Sequence, residues 1–383
     1  MSPRRAIVIA ARRTAIGKLG GIHRARPLEA LAAPVVQAVL ADAGLSPGAI
    51  DELILGNAVG GGGNPARLIA LAAGLPESVP ALTIDRQCAS GLDAIIQGAR
   101  LIESGAADAV IAGGAESAST APWRIAKPAN LYSALPQFYS QPSFAPASTG
   151  DPGMIEAAEN VAREFGIGRQ RQDAFALESH RRAARAEASG ILAAEIVPLG
   201  ADARDEGPRP SLTETLLARM PPLTGPEGTV TAGNSCQIND AAALTVIVSD
   251  DLHRRLGSPP GLVFDRAASA GVAPRILGFA AMPAFRKLGI AAGGVGAVEL
   301  NEAFAAQALA TIDVLKLSAE IVNTLGGALA YGHPYGASGA ILVIRLFTRL
   351  CRNAQDATPE SAIAMVAAAG GLGVAAIFHA ISS

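Results

Sequence analysis

The 383-residue sequence predicts an α/β protein made of two similar βαβαβ halves with an insertion between them, and three observations predict it. Short apolar runs of strand length alternate with longer runs of helical spacing. Motifs of the first half return in the same order in the second. Between the halves, over residues 119–223, the texture changes: Pro, Ser, Gln and aromatic residues fill 122–152, and a charged helix follows over 169–188.

In order, the pattern gives a strand at 6–11, a helix over 27–43 stopped by Gly44, a strand at 52–55 and a helix over 66–73. A strand at 81–84, a helix over 91–105 and a strand at 109–112 follow. This rhythm implies a mostly parallel sheet covered by helices. In the second half Ala297-Val298-Glu299-Leu300-Asn301 matches Leu53-Ile54-Leu55-Gly56-Asn57. Ala89-Ser90-Gly91 returns as Ala337-Ser338-Gly339, each opening an apolar helix, and Ala112-Gly113-Gly114 returns as Ala369-Gly370-Gly371, each closing an apolar strand. One such match means little in a chain with 42 glycines; three in order indicate a duplication. The expected division is 1–118 for the N-terminal half, 119–249 for an inserted loop domain with a return to that half, and 250–383 for the C-terminal half. An insertion this long in one half alone reads as a lid or a substrate-binding domain.

Half of the residues are apolar and 17% are charged, as in a densely packed enzyme and unlike a disordered chain. A formal charge of −2 gives no electrostatic basis for binding nucleic acid or an anionic membrane. No run reaches the roughly 18 apolar residues of a membrane span, and the first apolar run is too short for a secretion signal, so a cytoplasmic location is expected. The three cysteines, Cys88, Cys236 and Cys351, are odd in number and far apart, which argues against a disulfide scaffold and against a metal site.

Cys88 stands in Asp85-Arg86-Gln87-Cys88-Ala89-Ser90-Gly91, between a strand and a helix start. Unpaired backbone N–H groups and the helix dipole there favour thiolate, moving a cysteine from about 8.5 toward about 3.5–7.5. The plain alternative is a buried cysteine filling a small gap. The strand-to-helix turn favours the nucleophile, because the carboxyl ends of parallel strands are where such folds hold reactive groups. His333, in Gly332-His333-Pro334-Tyr335-Gly336-Ala337-Ser338-Gly339, occupies the matching turn of the second half. An imidazole there can take the thiol proton and later assist an oxyanion, or it can simply cap a glycine-rich loop. Asn301, at the end of a buried strand, can orient a water or donate to a carbonyl; it and Glu302 can equally cap the next helix.

Together these segments resemble the thiolase family over essentially the whole chain. The resemblance rests on Ala11-Arg12-Arg13-Thr14-Ala15-Ile16-Gly17-Lys18, Gly56-Asn57, the Cys88 block and Ala158-Glu159-Asn160. It continues through Gln172-Asp173-Ala174-Phe175-Ala176, Thr229-Val230-Thr231-Ala232-Gly233-Asn234, Asn301-Glu302-Ala303-Phe304-Ala305 and the His333 block. It implies a five-layered α-β-α-β-α subunit, a homodimer or dimer of dimers, and coenzyme A thioesters as substrates held by the inserted loop domain, with no permanently bound cofactor. It also implies a Claisen condensation or its thiolytic reverse, in fatty acid metabolism. Cys88 would carry the acyl group, His333 would activate it, and His333 with an Asn301-held water would form one oxyanion hole. Backbone N–H groups at Cys88 and Ala369 would form the other. Met154, Ser235 and Phe304 would line the substrate site.

The chain departs from the family in three places. A second cysteine, the usual acid/base, is expected before the C-terminal glycine loop, and the aligned residue is Ala367. The loop that touches the pantetheine arm reads Gly233-Asn234-Ser235-Cys236-Gln237 and so carries a thiol, Cys236, that either replaces the missing base or fills a Ser-sized pocket. Asp151-Pro152-Gly153-Met154 lacks the histidine that usually precedes the methionine, which implies an altered acyl pocket. Cys351 reads as core or surface filler. A decarboxylating condensation or plain acyl transfer would need only Cys88, His333 and Asn301; a non-catalytic acyl-binding protein would need none of them.

Overall fold

The computed structural model describes residues 4–128, 130, 135–139, 141–353 and 361–382. β1 (Ala6–Thr14) and the short β2 (Gly17–Lys18) lead to α1 (Leu28–Ala43), which ends at Gly44 in the left-handed conformation, φ 64°. β3 (Glu52–Gly56), α2 (Pro65–Ala72), β4 (Ala81–Ile84), α3 (Ser90–Glu103) and β5 (Ala109–Glu116) complete the first half but for one strand. The insertion carries a hairpin of β6 (Arg124–Ala126) and β7 (Gln137–Tyr139), helices α4 (Met154–Glu164) and α5 (Arg169–Ser189), the short β8 (Ile196–Val197) and α6 (Glu214–Ala218). β9 (Asn239–Ser249) then returns to the first half. The second half runs through α7 (Asp250–Arg255), β10 (Gly261–Gly271), α8 (Ala281–Lys287), β11 (Ala297–Leu300) and α9 (Ala305–Leu315). It ends with α10 (Ala328–Tyr331), α11 (Tyr335–Phe347), β12 (Ala362–Ala368) and β13 (Leu372–Ile381).

The strands order as β11-β12-β13-β10-β1-β9-β5-β3-β4, with the halves joined where Ile7 and Val8 pair with Val263 and Leu262. Reading outward from that joint, each half repeats the same directions. β1–β9 and β10–β13 are antiparallel, β9–β5 and β13–β12 are antiparallel, and β5–β3 and β12–β11 are parallel. The parallel β3–β4 pair is matched by one parallel bridge, Val298 to Val322. The duplication read from three tripeptides is therefore a duplication of topology. The mostly parallel sheet is corrected: parallel pairing is confined to the outer strands and to the short β8 beside β1. In the second half Gly370 and Gly371, with φ of 78° and 80°, turn β12 straight into β13, and a direct turn delivers an antiparallel neighbour.

Alternation along each strand divides the core into layers. Ile7, Ile9, Leu53, Leu55, Val246 and Val248 pack outward against α1 and α2. Val8, Ile54, Val110 and Ile247 pack inward with α3 and α11, as do Phe264, Val366, Val374 and Phe378 from the other half. Val298, Leu300, Ile363 and Met365 pack against α8 and α9 on the far side. This gives the α-β-α-β-α sandwich. Cys351, at the end of α11's extension, is half-buried against the central layer.

The two central helices cross at contact distance. A Cβ on Gly91 would lie 2.5 Å from the Gly336 carbonyl oxygen, and one on Gly339 would lie 2.4 Å from the Leu92 nitrogen. β5 also runs past its expected end at Ala112 to Glu116, because Gly113 and Gly114 leave room for backbone: a Cβ at Gly114 would meet the Gly336 oxygen. Gly339→Ala should therefore lower stability by about 1–3 kcal/mol through overpacking. It should also slow acylation of Cys88, which shares this crossing; thermal unfolding and intact mass after incubation with acetyl-CoA measure the two effects.

Candidate active site

Cys88 sits on the turn from β4 to α3. Gln87 before it has φ 51°, a left-handed conformation that is costly for a side chain larger than glycine. The turn is held by its own bonds: the Gln87 N–H donates to Asp85 Oδ1 at 2.7 Å, the Arg86 N–H to Ser90 Oγ at 2.8 Å, and the Ser90 hydroxyl to the Gln87 carbonyl at 2.6 Å. The backbone N–H groups of Ala369 and of Cys88 itself favour the charged form of the Cys88 sulfur. The expected lowering of its pKa does not occur. Burial pushes the thiol up to about 12, Glu116 and Asp85 add to the rise, and the two N–H groups offset only part of it. Cys88 rests as a thiol.

His333 stands in the wall of the same cavity. The His333 N–H donates to the Gln237 carbonyl at 2.9 Å and to Asn239 Oδ1 at 3.1 Å, which fixes the turn between α10 and α11. Its Nδ1 lies 2.6 Å from Ser338 Oγ, and its Nε2 makes a long 3.5 Å contact with Asn301 Nδ2. An amide donating to Nε2 leaves Nδ1 as the protonated nitrogen, donating to Ser338. Burial lowers His333 to about 4, so the imidazole is neutral and its Nε2 is free to accept a proton.

Asn301 leaves the end of β11 with its N–H on the Met365 carbonyl (3.0 Å) and its own carbonyl on Gln307 Nε2 (3.2 Å). Neither it nor Glu302 caps α9, whose N-cap is Phe304. Glu302 caps α10 instead. Its carboxylate accepts the Leu329 N–H at 3.3 Å, the Ser179 hydroxyl at 2.7 Å and Asn323 Nδ2 at 2.7 Å, which turns it away from the reaction cavity.

Cys236 lies on the loop entering β9, with its N–H on the Ala303 carbonyl at 2.9 Å. Burial pushes its thiol up, and charge on Cys88 pushes it further. A cavity of about 520 Å³ has Cys88, Cys236 and His333 in its wall, together with Met154, Ser235, Phe304 and Ala369. Ala367 presents its methyl group to the same space. Asn301 stands behind His333, on a small separate void shared with Ser338 and Arg345.

Residues 6–251 match the family model of the thiolase N-terminal domain, and residues 260–380 that of the thiolase C-terminal domain. The chain belongs to the thiolase family. It is 43% identical over 382 residues to VraB of Staphylococcus epidermidis, named as an inferred acetyl-CoA C-acetyltransferase, across 97% of this chain and 98% of that protein. The Staphylococcus aureus protein of the same name is 42% identical over the same shares. The crystal structure of the Bacillus anthracis acetyl-CoA acetyltransferase superposes with a TM-score of 0.92 at 33% identity, covering 99% of each chain. The chain is an acyl-CoA acyltransferase with the thiolase fold. Among the described residues no helix is long and apolar enough to cross a membrane.

Reading the sequence missed several residues of this thiolase site. Glu116, fully buried, accepts from Asn57 Nδ2 (2.7 Å) and from the N–H groups of Ala58 (2.9 Å), Val59 (3.2 Å) and Gly336 (3.0 Å), so it ties the ends of β3 and β5 to the His333 turn. Burial raises it to about 7 despite these donors. An acidic residue closing the apolar run Ala109–Glu116 was the available signal. Tyr335, Gln237 and Arg209 also line the cavity. Nothing in their local sequence separated them from their neighbours.

A thiol at about 12 with no standing thiolate has a measurable consequence. Alkylation of Cys88 by iodoacetamide should rise about tenfold per pH unit from pH 7 to 10 without a plateau. A plateau below pH 9, followed by intact mass, would show an activated thiolate instead.

Proposed function

We propose that this enzyme forms or cleaves a β-ketoacyl-CoA through an acyl-Cys88 intermediate, with Cys236 as the acid/base of the carbon–carbon step. The observation that carries the reading is the sharing of one cavity wall by Cys88, His333 and Cys236, together with an Ala367 that can carry no proton. In this reading coenzyme A thioesters are the substrates and no cofactor is held permanently.

His333 Nε2 takes the Cys88 proton as the sulfur attacks the acyl-CoA carbonyl, and the departing coenzyme A thiolate takes that proton away. The N–H groups of Cys88 and Ala369, which favour negative charge on the free sulfur, serve the acyl oxygen as charge develops on it; each such donor is worth about 2.7–4 kcal/mol in rate. Acylation leaves Cys88 without an ionisable thiol and so removes its charge as one cause of the high Cys236 pKa. Cys236 passes its own proton to the neutral His333 Nε2 and, as thiolate, takes the α-proton of the second thioester; the imidazolium returns a proton to the Cys88 sulfur when that sulfur leaves. The carbanion attacks the acyl carbonyl, and the carbon–sulfur bond to Cys88 breaks with its electron pair going to sulfur.

Met154, Ser235 and Phe304 bind substrate in this proposal, and the segment 119–249 is its coenzyme A-binding domain, since it contributes Met154, Arg209, Ser235 and Cys236 to the wall. A homodimer or dimer of dimers belongs to the same reading. The strong upward push on Cys236 favours a second reading, decarboxylating condensation or plain acyl transfer by Cys88, His333 and Asn301 alone.

Cys88→Ala should abolish the acyl-enzyme seen by intact mass while the protein stays folded. His333→Ala should slow both acylation and the carbon–carbon step. Cys236→Ser should keep acylation and lose acetoacetyl-CoA thiolysis and α-proton exchange by at least about a hundredfold. A Ser variant at the full thiolytic rate would rule out Cys236 as the base and leave the second reading in the lead.

A further inference from the structure

Tyr335 begins α11 two residues after His333. Its φ of 24° is outside the regions a side chain of this size ordinarily adopts. Backbone in such a conformation relaxes unless its surroundings hold it. The next residue, Gly336, is held from both sides. Its carbonyl is wedged between Gly91 and Gly114, where a Cβ on either glycine would collide with the oxygen. Its N–H, one of the first-turn donors that α11 cannot use itself, donates to Glu116 Oε2 at 3.0 Å.

Glu116 ends β5 and is fully buried. Its Oε1 accepts from Asn57 Nδ2 at 2.7 Å and the Val59 N–H at 3.2 Å, and its Oε2 accepts from the Ala58 N–H at 2.9 Å besides Gly336. A carboxylate offers about four lone-pair positions, and here each has a donor. Three of the four donors belong to the chain leaving β3 in the first half, and the fourth opens α11 in the second. The backbones meet at the same place: a Cβ on Gly336 would lie 2.9 Å from the Asn57 Cα. Only the ionised side chain makes all four bonds, since a carboxamide of the same shape would turn N–H toward N–H. Glu116 does not line the reaction cavity, so any effect on the chemistry passes through the backbone of Gly336 and Tyr335.

We infer that Glu116 is a positioning residue for His333: its carboxylate holds the strained start of α11 against the end of β3, and this tether sets the imidazole where it takes the Cys88 proton. The inference rests on the acyl-Cys88 reading and on no assignment for Cys236.

Glu116→Gln keeps the volume of the side chain and about half of its acceptor positions. Acylation of Cys88 at saturating acetyl-CoA, followed by intact mass, should slow about 10²-fold, with the half-saturating concentration changed by less than about threefold. Alkylation of Cys88 by iodoacetamide at pH 9 should not slow, because the substitution removes a negative charge that bears on the sulfur. That combination locates the loss at the base and not at the thiol. Thermal unfolding checks that the variant is folded. Replacing the Gly336 amide by an ester, with glycolic acid at that position, deletes only the N–H that faces Glu116. It should slow acylation about tenfold in the same pattern, and it carries the test if the Gln variant does not fold. Folded variants that acylate at the parent's rate, losses confined to the half-saturating concentration, or alkylation slowed as much as acylation would each overturn the inference. A parent enzyme that never forms the acyl-enzyme would overturn the acyl-Cys88 reading and this inference with it.

Discussion

The site depends on one crossing, where α3 and α11 meet backbone to backbone at Gly91, Gly336 and Gly339. Each of these helices follows a strained turn, and each turn carries one half of the proposed chemistry. Cys88 precedes α3, and His333 precedes α11. Because side chains are absent at the contact, the helix starts come close enough for a thiol and an imidazole from turns 245 positions apart in the sequence to open onto one cavity. Glu116 reinforces the crossing from the side, binding N–H groups that follow β3 and that begin α11.

The insertion is fastened to this frame by buried charge. Arg13 of β1, with no exposed surface, donates to Glu195 at 2.7 Å and to Asp205 at 2.7 and 2.9 Å, and Arg345 of α11 pairs with the same Glu195 at 2.8 Å. Glu195 and Asp205 both belong to the inserted segment and are both held below the usual carboxylate range by these guanidinium groups, against burial. Removing one partner of such a pair leaves an uncompensated buried charge, at about 3–5 kcal/mol. The loop that carries Cys236 is the return from this insertion, so the fastening also sets where the second thiol stands.

Burial then decides the ionisation of the site. The same low-dielectric surroundings raise Cys88 and Cys236 and lower His333, so all three rest neutral. A neutral set avoids an unpaired buried charge in the resting enzyme, and charge forms only when substrate brings an oxygen or a sulfur to receive the proton. The helix start therefore yields no standing thiolate at Cys88: the two backbone N–H groups do not outweigh desolvation.

The sequence by itself determined the duplication, the place of the insertion and the two strand-to-helix turns that carry Cys88 and His333. Those depend on local periodicity, on glycines where backbones touch, and on repeated motifs, all of which are written along the chain. Its strand and helix positions were close to those observed, apart from β5, where Gly113 and Gly114 marked a close contact within the strand and not its end. Only the tertiary structure decided the strand directions at the sheet centre, because direction is set by which strand a returning segment joins. It alone decided that Glu302 caps α10 and faces away, and that Glu116 links the two halves. It alone brought Tyr335 into the wall of the cavity. A side chain's environment is the sum of what distant segments bring to it, and neither burial nor a missing hydrogen-bond partner has a local sequence signature.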